Sequence, residues 1–312
     1  MPVFPPDFPD DVDDTGFDTV IIGTNGKDNL AGTAGRDHIL GGNADDAIFG
    51  NPGDDWLEGG NGNDRLSGGL GRDRLEGGAG NDTYILMHDT SDTIVDSDGN
   101  DLITSTTSQD LRHYTGIERL QINGASRSGA TAIGTDGDNV LVVSAQSSII
   151  DGGAGNDQLI GSAYGRDIFI GGLGRDVMDS GYKDFGPPWY GQDMGYDRFD
   201  FRDPAESAVG AQRDVIYNFL HSDSFGGDQI NLGAMDANTT INGNQAFTFI
   251  GDAFSSLKPG ELRLQYFDFD NDARNYSVIS GDVDGDGAAD FQIEIHTMYL
   301  NSHLTMANDI IL

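Results

Sequence analysis

From residue 23 onward an apolar side chain recurs every nine positions, at Leu30, Ile39, Ile48, Leu57, Leu66, Leu75 and Tyr84. An apolar residue at this spacing, set among polar residues and glycine, suits a very short strand with one face turned inward. Two nine-residue blocks then make one coil: turn, strand, turn, strand. Each turn is expected beside the turn two blocks later, at the ~4.8 Å spacing of neighbouring strands. Farther along, "DTIVDS", "DLITST" and "IERLQING" alternate apolar and polar residues and predict further strands within residues 86–133, read as wider coils of the same solenoid.

The intervening positions are equally regular. Beginning at Gly23 the blocks are GTNGKDNLA, GTAGRDHIL, GGNADDAIF, GNPGDDWLE, GGNGNDRLS, GGLGRDRLE and GGAGNDTYI. Position 1 is glycine in all seven, position 4 in six (Ala44 is the exception), and position 6 is aspartate in all seven. An acidic, glycine-rich disordered linker has no register, and seven glycines in phase would arise by chance roughly once in a million. Gly23, Gly26, Gly32, Gly35, Gly41, Gly50, Gly53, Gly59, Gly62, Gly68, Gly71, Gly77 and Gly80 therefore read as turn glycines, which permit positive φ and close backbone approach.

The coil places Asp28, Asp37, Asp46, Asp55, Asp64, Asp73 and Asp82 in two columns. Carboxylates about 5 Å apart repel by roughly 0.8 kcal/mol in water, and by several times more when partly buried. A divalent cation between successive turns reverses that sign, and Ca2+ is the hard ion that takes six to eight oxygens from carboxylates and carbonyls. The expected pairs are Asp28 with Asp46, Asp37 with Asp55, Asp46 with Asp64, Asp55 with Asp73, and Asp64 with Asp82, which makes five sandwiched sites.

Composition agrees with a fold that lacks a thick core. The 312 residues include 46 glycines and only 37% hydrophobic residues. A net charge of -35 excludes nucleic acid and anionic membrane surfaces as partners and makes a cation the natural counterion. There is no cysteine, hence no disulfide and no thiolate metal site. The opening "MPVFPPDFPDDVDDTGFD" has neither the basic nor the apolar region of a secretory signal peptide, and no run is long enough for a membrane span.

The blocks resemble GGxGxDxUx, the nonapeptide of RTX (repeats-in-toxin, hemolysin-type calcium-binding) proteins. The resemblance implies an all-β, right-handed parallel β-roll with Ca2+ inside the turns. After a break the register resumes with GTDGDNVLV and VSAQSSIID, whose ligands have decayed. GGAGNDQLI, GSAYGRDIFI and GGLGRDVMD then restore Gly152, Gly155, Gly171 and Gly174 with Asp157, Asp167 and Asp176. Asp157 and Asp176 are placed to share an ion, whereas the earlier neighbour of Asp167 is Ser148. A degenerate block, GQDMGYDRF, adds Asp197. The total expected is about five to eight ions.

From about residue 197 the texture resembles the C-terminal domain of serralysin-type secreted metalloproteases. It carries Asp214 to Phe219, Asp228 to Leu232, "AFTFIG", "GELR" and "GDVDGDGAADF" in the same order. That resemblance implies an antiparallel β domain capping the roll and an uncleaved signal for type I secretion, matched here by the ending "NDIIL". The expected partner is the type I secretion apparatus, and the expected location is extracellular. The resulting divisions are an acidic, proline-rich arm (1–22), an RTX roll (23–85), a solenoid insert (86–133), a second array with an aromatic insert (134–196) and the serralysin-like domain (197–312).

"DVDGDGAAD" supplies Asp282, Asp284, Asp286 and Asp290 in EF-hand-like spacing but lacks the glutamate at position 12, so a calcium loop and a metal-free acidic hairpin both stand. Among His38, His88, His113, His221, His296 and His303 there is no HExxH pair, and no G-x-S-x-G elbow exists. The protease domain of the resembled family is absent, and no catalytic residue is assigned. Tyr182, Phe185, Trp189, Tyr190 and Tyr196 read either as a cover for the open end of the roll or as a surface that stacks on sugars or a protein partner. Three functions follow: a secreted, non-enzymatic calcium-binding protein of adhesion or host interaction, a polysaccharide-acting enzyme with its site in the inserts, or the folding and targeting module of a protease or epimerase.

Overall fold

The computed structural model describes residues 16–87, 91–124, 129–162, 165–181, 196–221, 227–251, 258–267, 275–297, 304 and 309–312. Among these the only helical pieces are three 3₁₀ turns, Leu111–His113, Pro204–Glu206 and Gly210–Gln212. Among the described residues no helix is long and apolar enough to cross a membrane. The chain divides into two units, Met1–Ser105 with Tyr114–Ile117 and Thr106–His113 with Glu118–Leu312, so the division falls inside the 86–133 insert.

The first unit is a parallel β-solenoid of two facing rows of short strands. One row holds Thr19–Ile22, Asp37–Asn43, Trp56–Asn61, Arg74–Ala79 and Thr93–Ile94, and the other Asn29–Ala31, Ala47–Pro52, Arg65–Leu70, Thr83–Leu86 and Leu102–Ser105. His38 pairs with Trp56 and Ala47 with Arg65, so each strand lies on the strand one coil on, as the nine-residue pattern predicts. The apolar position of each block points inward: Ile39, Leu57, Leu75 and Ile94 from one row, Ile48, Leu66, Tyr84 and Ile103 from the other, all essentially inaccessible. Burying a Leu or Ile contributes about 1.5–3 kcal/mol. With so few buried side chains per coil, apolar burial is a thin foundation for so much ordered backbone.

The second unit continues the same construction. A seven-stranded parallel sheet runs through Gln109–Asp110, Thr131–Ile133, Ile149–Ala154, Ile168–Leu173, Arg198–Asp200, Gln229–Asn231 and Ile310–Ile311. Facing it are Arg119–Ile122, Val140–Val143, Gln158–Ile160, Val177–Asp179 and Asp214–Phe219. Parallel stacking therefore extends past residue 197, with Val177 on Val215 and Phe199 on Ile230. The antiparallel part is Glu261–Phe267, Tyr276–Asp282 and Phe291–Thr297, and the last of these joins the solenoid by pairing parallel to Asp214–Phe219. Phe291, Ile293, Ile295, Phe219 and Phe201 form the thicker core of this end.

Candidate metal centre

From Asp46 onward, the turn aspartates are held by the preceding coil. The Asp46 carboxylate accepts the backbone N–H of Asp28 through Oδ1 at 2.7 Å, and Asp64 likewise accepts that of Asp46 at 2.7 Å. The same bond joins Asp55 to Asp37, Asp73 to Asp55 and Asp82 to Asp64 at 2.6–2.9 Å. In the second unit Asp157 accepts from Asn139, Asp167 from Ser148, Asp176 from Asp157 and Asp197 from Asp167. One oxygen of each carboxylate is thereby fixed, and the side chain is oriented into the turn.

The second oxygen divides the aspartates into two groups. In Asp46, Asp55, Asp64, Asp73, Asp82, Asp157, Asp176 and Asp214, Oδ2 is buried and has no hydrogen-bond partner. An orphaned buried carboxylate oxygen is costly unless a cation meets it. In Asp28 and Asp37 that oxygen is taken by the N–H and hydroxyl of Thr24 and Thr33. In Asp167 it is taken by the N–H of Ser162 at 2.7 Å. Blocks that open Gly-Thr or Gly-Ser thus satisfy their own acid.

The glycines explain where an ion would sit. A Cβ on Gly41 would lie 2.6 Å from Asp46 Oδ2 and 2.6 Å from the Gly59 carbonyl oxygen, so the space that this glycine leaves open is walled by oxygens of two successive coils. Positive φ belongs instead to positions 2 and 4, as at Gly60 (108°) and Gly62 (138°). The position-2 glycines were absent from the sequence-based assignment. Gly26 is not demanding in this way, because its nearest neighbour would be Thr24 Oγ1 at 4.0 Å. The donor set of paired carboxylates and carbonyls, all hard oxygens, fits Ca2+.

The acid-base properties agree with buried acids that have no cation beside them. Burial first, and neighbouring acids second among the raising influences (Glu206 for Asp176, aspartates for the others), push Asp55 and Asp176 up to about 6 and Asp73, Asp82 and Asp157 up to about 7. Asp214, fully buried, is pushed up to about 9, chiefly by that burial.

Several members of the columns were not read from sequence as ligands. Asp92 and Asp101 accept the N–H groups of Asp73 and Asp82, and Asp214 and Asp228 accept those of Asp176 and Asp197. Their signal was an acid two residues before a buried apolar side chain, as in Asp92–Ile94, Asp101–Ile103, Asp214–Ile216 and Asp228–Ile230. Among the described residues, three acids bring carboxylate oxygens within 4.8 Å of one another at two places: Asp82, Asp96 and Asp101, and Asp282, Asp284 and Asp290. In the latter loop Asp286 stands outside the group, and all four acids accept backbone N–H groups of the loop itself. Backbone bonds of this kind shape the loop in either reading, calcium-bound or metal-free. Of the aromatic insert, Tyr196 lies under the Arg166 guanidinium at 5.0 Å, whereas Tyr182, Phe185, Trp189 and Tyr190 lie outside the described residues.

The RTX calcium-binding nonapeptide repeat (4 copies) family matches residues 22–57, 49–84, 89–110, 133–163 and 164–181. The chain thus carries calcium-binding RTX repeats in both units. No curated protein matches it. Among solved structures, the extracellular lipase LipA from Serratia marcescens is similar over 90% of this chain and 39% of its own, with 17% identity and a TM-score of 0.31. The chain therefore spans well under two thirds of that lipase, and a likeness at this level says nothing about activity.

Proposed function

We propose that this is a secreted calcium-binding protein whose solenoid folds on extracellular Ca2+ and then serves as a non-enzymatic surface for adhesion, matrix or host contact. The observation that carries the reading is the set of buried, unpartnered Oδ2 atoms facing the glycine turns. Extracellular-type sites have dissociation constants on the order of 10⁻⁴ to 10⁻³ M. Cytosolic calcium then contributes almost nothing, while millimolar calcium contributes about 1 kcal/mol per site by mass action. A chain built this way stays unfolded through export and folds outside. Passage through a type I secretion apparatus and a carbohydrate or cell-surface partner are expectations of the repeat resemblance.

The test is far-UV circular dichroism during a calcium titration, with Mg2+ as control and reversal by EDTA. A cooperative coil-to-β transition near millimolar Ca2+, absent with Mg2+, is the expected result. A fold complete in EDTA would overturn it.

One feature favours a polysaccharide-acting enzyme as a second reading. A cleft of about 440 Å³ in the second unit is lined by Arg112, Asp136, Asp151, Arg202, Asp203 and Glu206. Paired acids suit glycoside cleavage, and the arginines beside them suit a substrate carboxylate. Cleavage of a uronate polymer that Asp151→Asn abolishes, with calcium-induced folding intact, would establish that reading.

A further inference from the structure

We propose that Asp82, Asp96 and Asp101 form a three-carboxylate Ca2+ site, distinct from the two-carboxylate turns and the first in its unit to fill. The inference rests on the calcium reading above and deepens it.

Residues 96–104, DSDGNDLIT, form a concealed nonapeptide block. Asp101 occupies the acid position and Ile103 the buried apolar one, while Gly99 at φ 149° occupies the fourth. Asp96 therefore stands at position 1, which is glycine in all seven blocks of the first array. In an ordinary turn, such as that at Gly41, an Asp46 oxygen from one coil and the carbonyl oxygen of Gly59, a position-1 glycine, from the next would hold the ion. At the corresponding turn, Asp96 brings a carboxylate oxygen within 4.8 Å of those of Asp82 and Asp101, where an ordinary block has no side chain at position 1.

The surroundings hold that carboxylate in place. Tyr84 replaces the aliphatic residue found at position 8 of the other six blocks and is fully buried. Its hydroxyl accepts the Gly77 N–H at 2.7 Å and donates to Asp96 Oδ2 at 2.5 Å. Asp96 Oδ1 accepts the N–H groups of Ser97 and Asp98. A Cβ on Gly77 would collide with both Asp82 Oδ2 and the Tyr84 hydroxyl, so this glycine opens directly onto the cluster.

The three acids are 1%, 4% and 1% exposed, and Asp82 Oδ2 has no hydrogen-bond partner. The charged groups that bear on Asp82 are Asp96, Asp64 and Asp101, every one acidic. Three buried negative charges this close demand a cation more strongly than two do, and in oxygen-donor sites affinity rises with ligand charge and rigidity.

The experiment is a calcium titration by isothermal calorimetry on the full chain, comparing wild type, Asp96→Gly and Asp96→Asn. A parallel Tb3+ titration reads tyrosine-sensitised emission in wild type and Tyr84→Phe. Asp96→Gly restores the ordinary block, and Asp96→Asn preserves an acceptor for the Tyr84 hydroxyl, so at least one variant retains the turn. In wild type one ion is expected to bind at least about tenfold more tightly than the rest. That step merges with the main transition in both Asp96 variants. Tb3+ emission is expected with the first equivalent and is lost in Tyr84→Phe. An unchanged first step in the Asp96 variants, with a cooperative calcium transition still present, overturns this site alone. The absence of any calcium transition in wild type overturns the functional reading as well.

Discussion

At the scale of single residues, the turn glycines have separable tasks. Gly41 has an ordinary φ, yet a Cβ there would lie 2.6 Å from both Asp46 Oδ2 and the Gly59 carbonyl oxygen. Gly41→Ala is expected to destabilise the calcium-bound protein by about 1–3 kcal/mol through this overpacking. The residues displaced are those that face the ion, so calcium affinity falls as well. Gly26→Ala serves as the contrast, since its Cβ would meet only Thr24 Oγ1, at 4.0 Å. Its effect is expected within about 0.5 kcal/mol of zero. Chemical denaturation at saturating calcium measures both, and equal losses in the two variants would contradict this division of tasks.

At the scale of the block, a threonine or serine at position 2 supplies the turn's own partner for the acid, through its backbone N–H and, for threonine, its hydroxyl as well. Thr33 donates its N–H and hydroxyl to Asp37 Oδ2, whereas Asp64 Oδ2, in a Gly-Gly block, is left alone. By linkage, the slope of stability against the logarithm of calcium concentration counts the ions bound on folding. Asp64→Asn is expected to lower that slope by about one ion. Thr33→Val is expected to cost about 1 kcal/mol for its lost hydrogen bond while leaving the slope unchanged. Denaturation series at several calcium concentrations above the folding midpoint separate the two outcomes.

The same block explains how much was legible beforehand. Glycine and aspartate in strict register make the solenoid and its coil length readable, because each coil must repeat the same turn geometry. Asp92, Asp101, Asp214 and Asp228 were missed as column members because their turns lack the glycine pair, although the acid-x-apolar core of the motif survives in each. Asp96 was hidden for the opposite reason: a carboxylate occupies the position that identifies a block by its glycine. The join between solenoid and antiparallel strands was beyond reach, since Asp214 pairs with Ile293 across 79 residues and no local spacing encodes that contact.

At the scale of the whole molecule, the buried carboxylates make calcium and protons competitors for the same oxygens. Asp55, Asp73, Asp82, Asp157 and Asp176 all rise from an ordinary value of 3.8 to about 6 or 7, chiefly because burial disfavours their charged form. A raised folded-state value means that the folded, metal-free chain binds protons more tightly than the unfolded chain. The stabilisation from these groups is therefore complete below the unfolded value of 3.8 and is lost as pH rises through 6 to 7. Calcium reverses the preference by stabilising the ionised carboxylates, so its affinity strengthens across the same interval and levels off above it. In EDTA the β signal is expected to be greater near about pH 5 than near about pH 8. With calcium present, the folding midpoint is expected to move to higher concentration as pH falls from about 8 to about 5.5. Circular dichroism over a grid of pH and calcium concentration measures both trends. A calcium midpoint that does not change across that interval would mean that the orphaned oxygens do not ligate the ion, since a ligand carboxylate with such a raised value cannot bind calcium without first losing its proton.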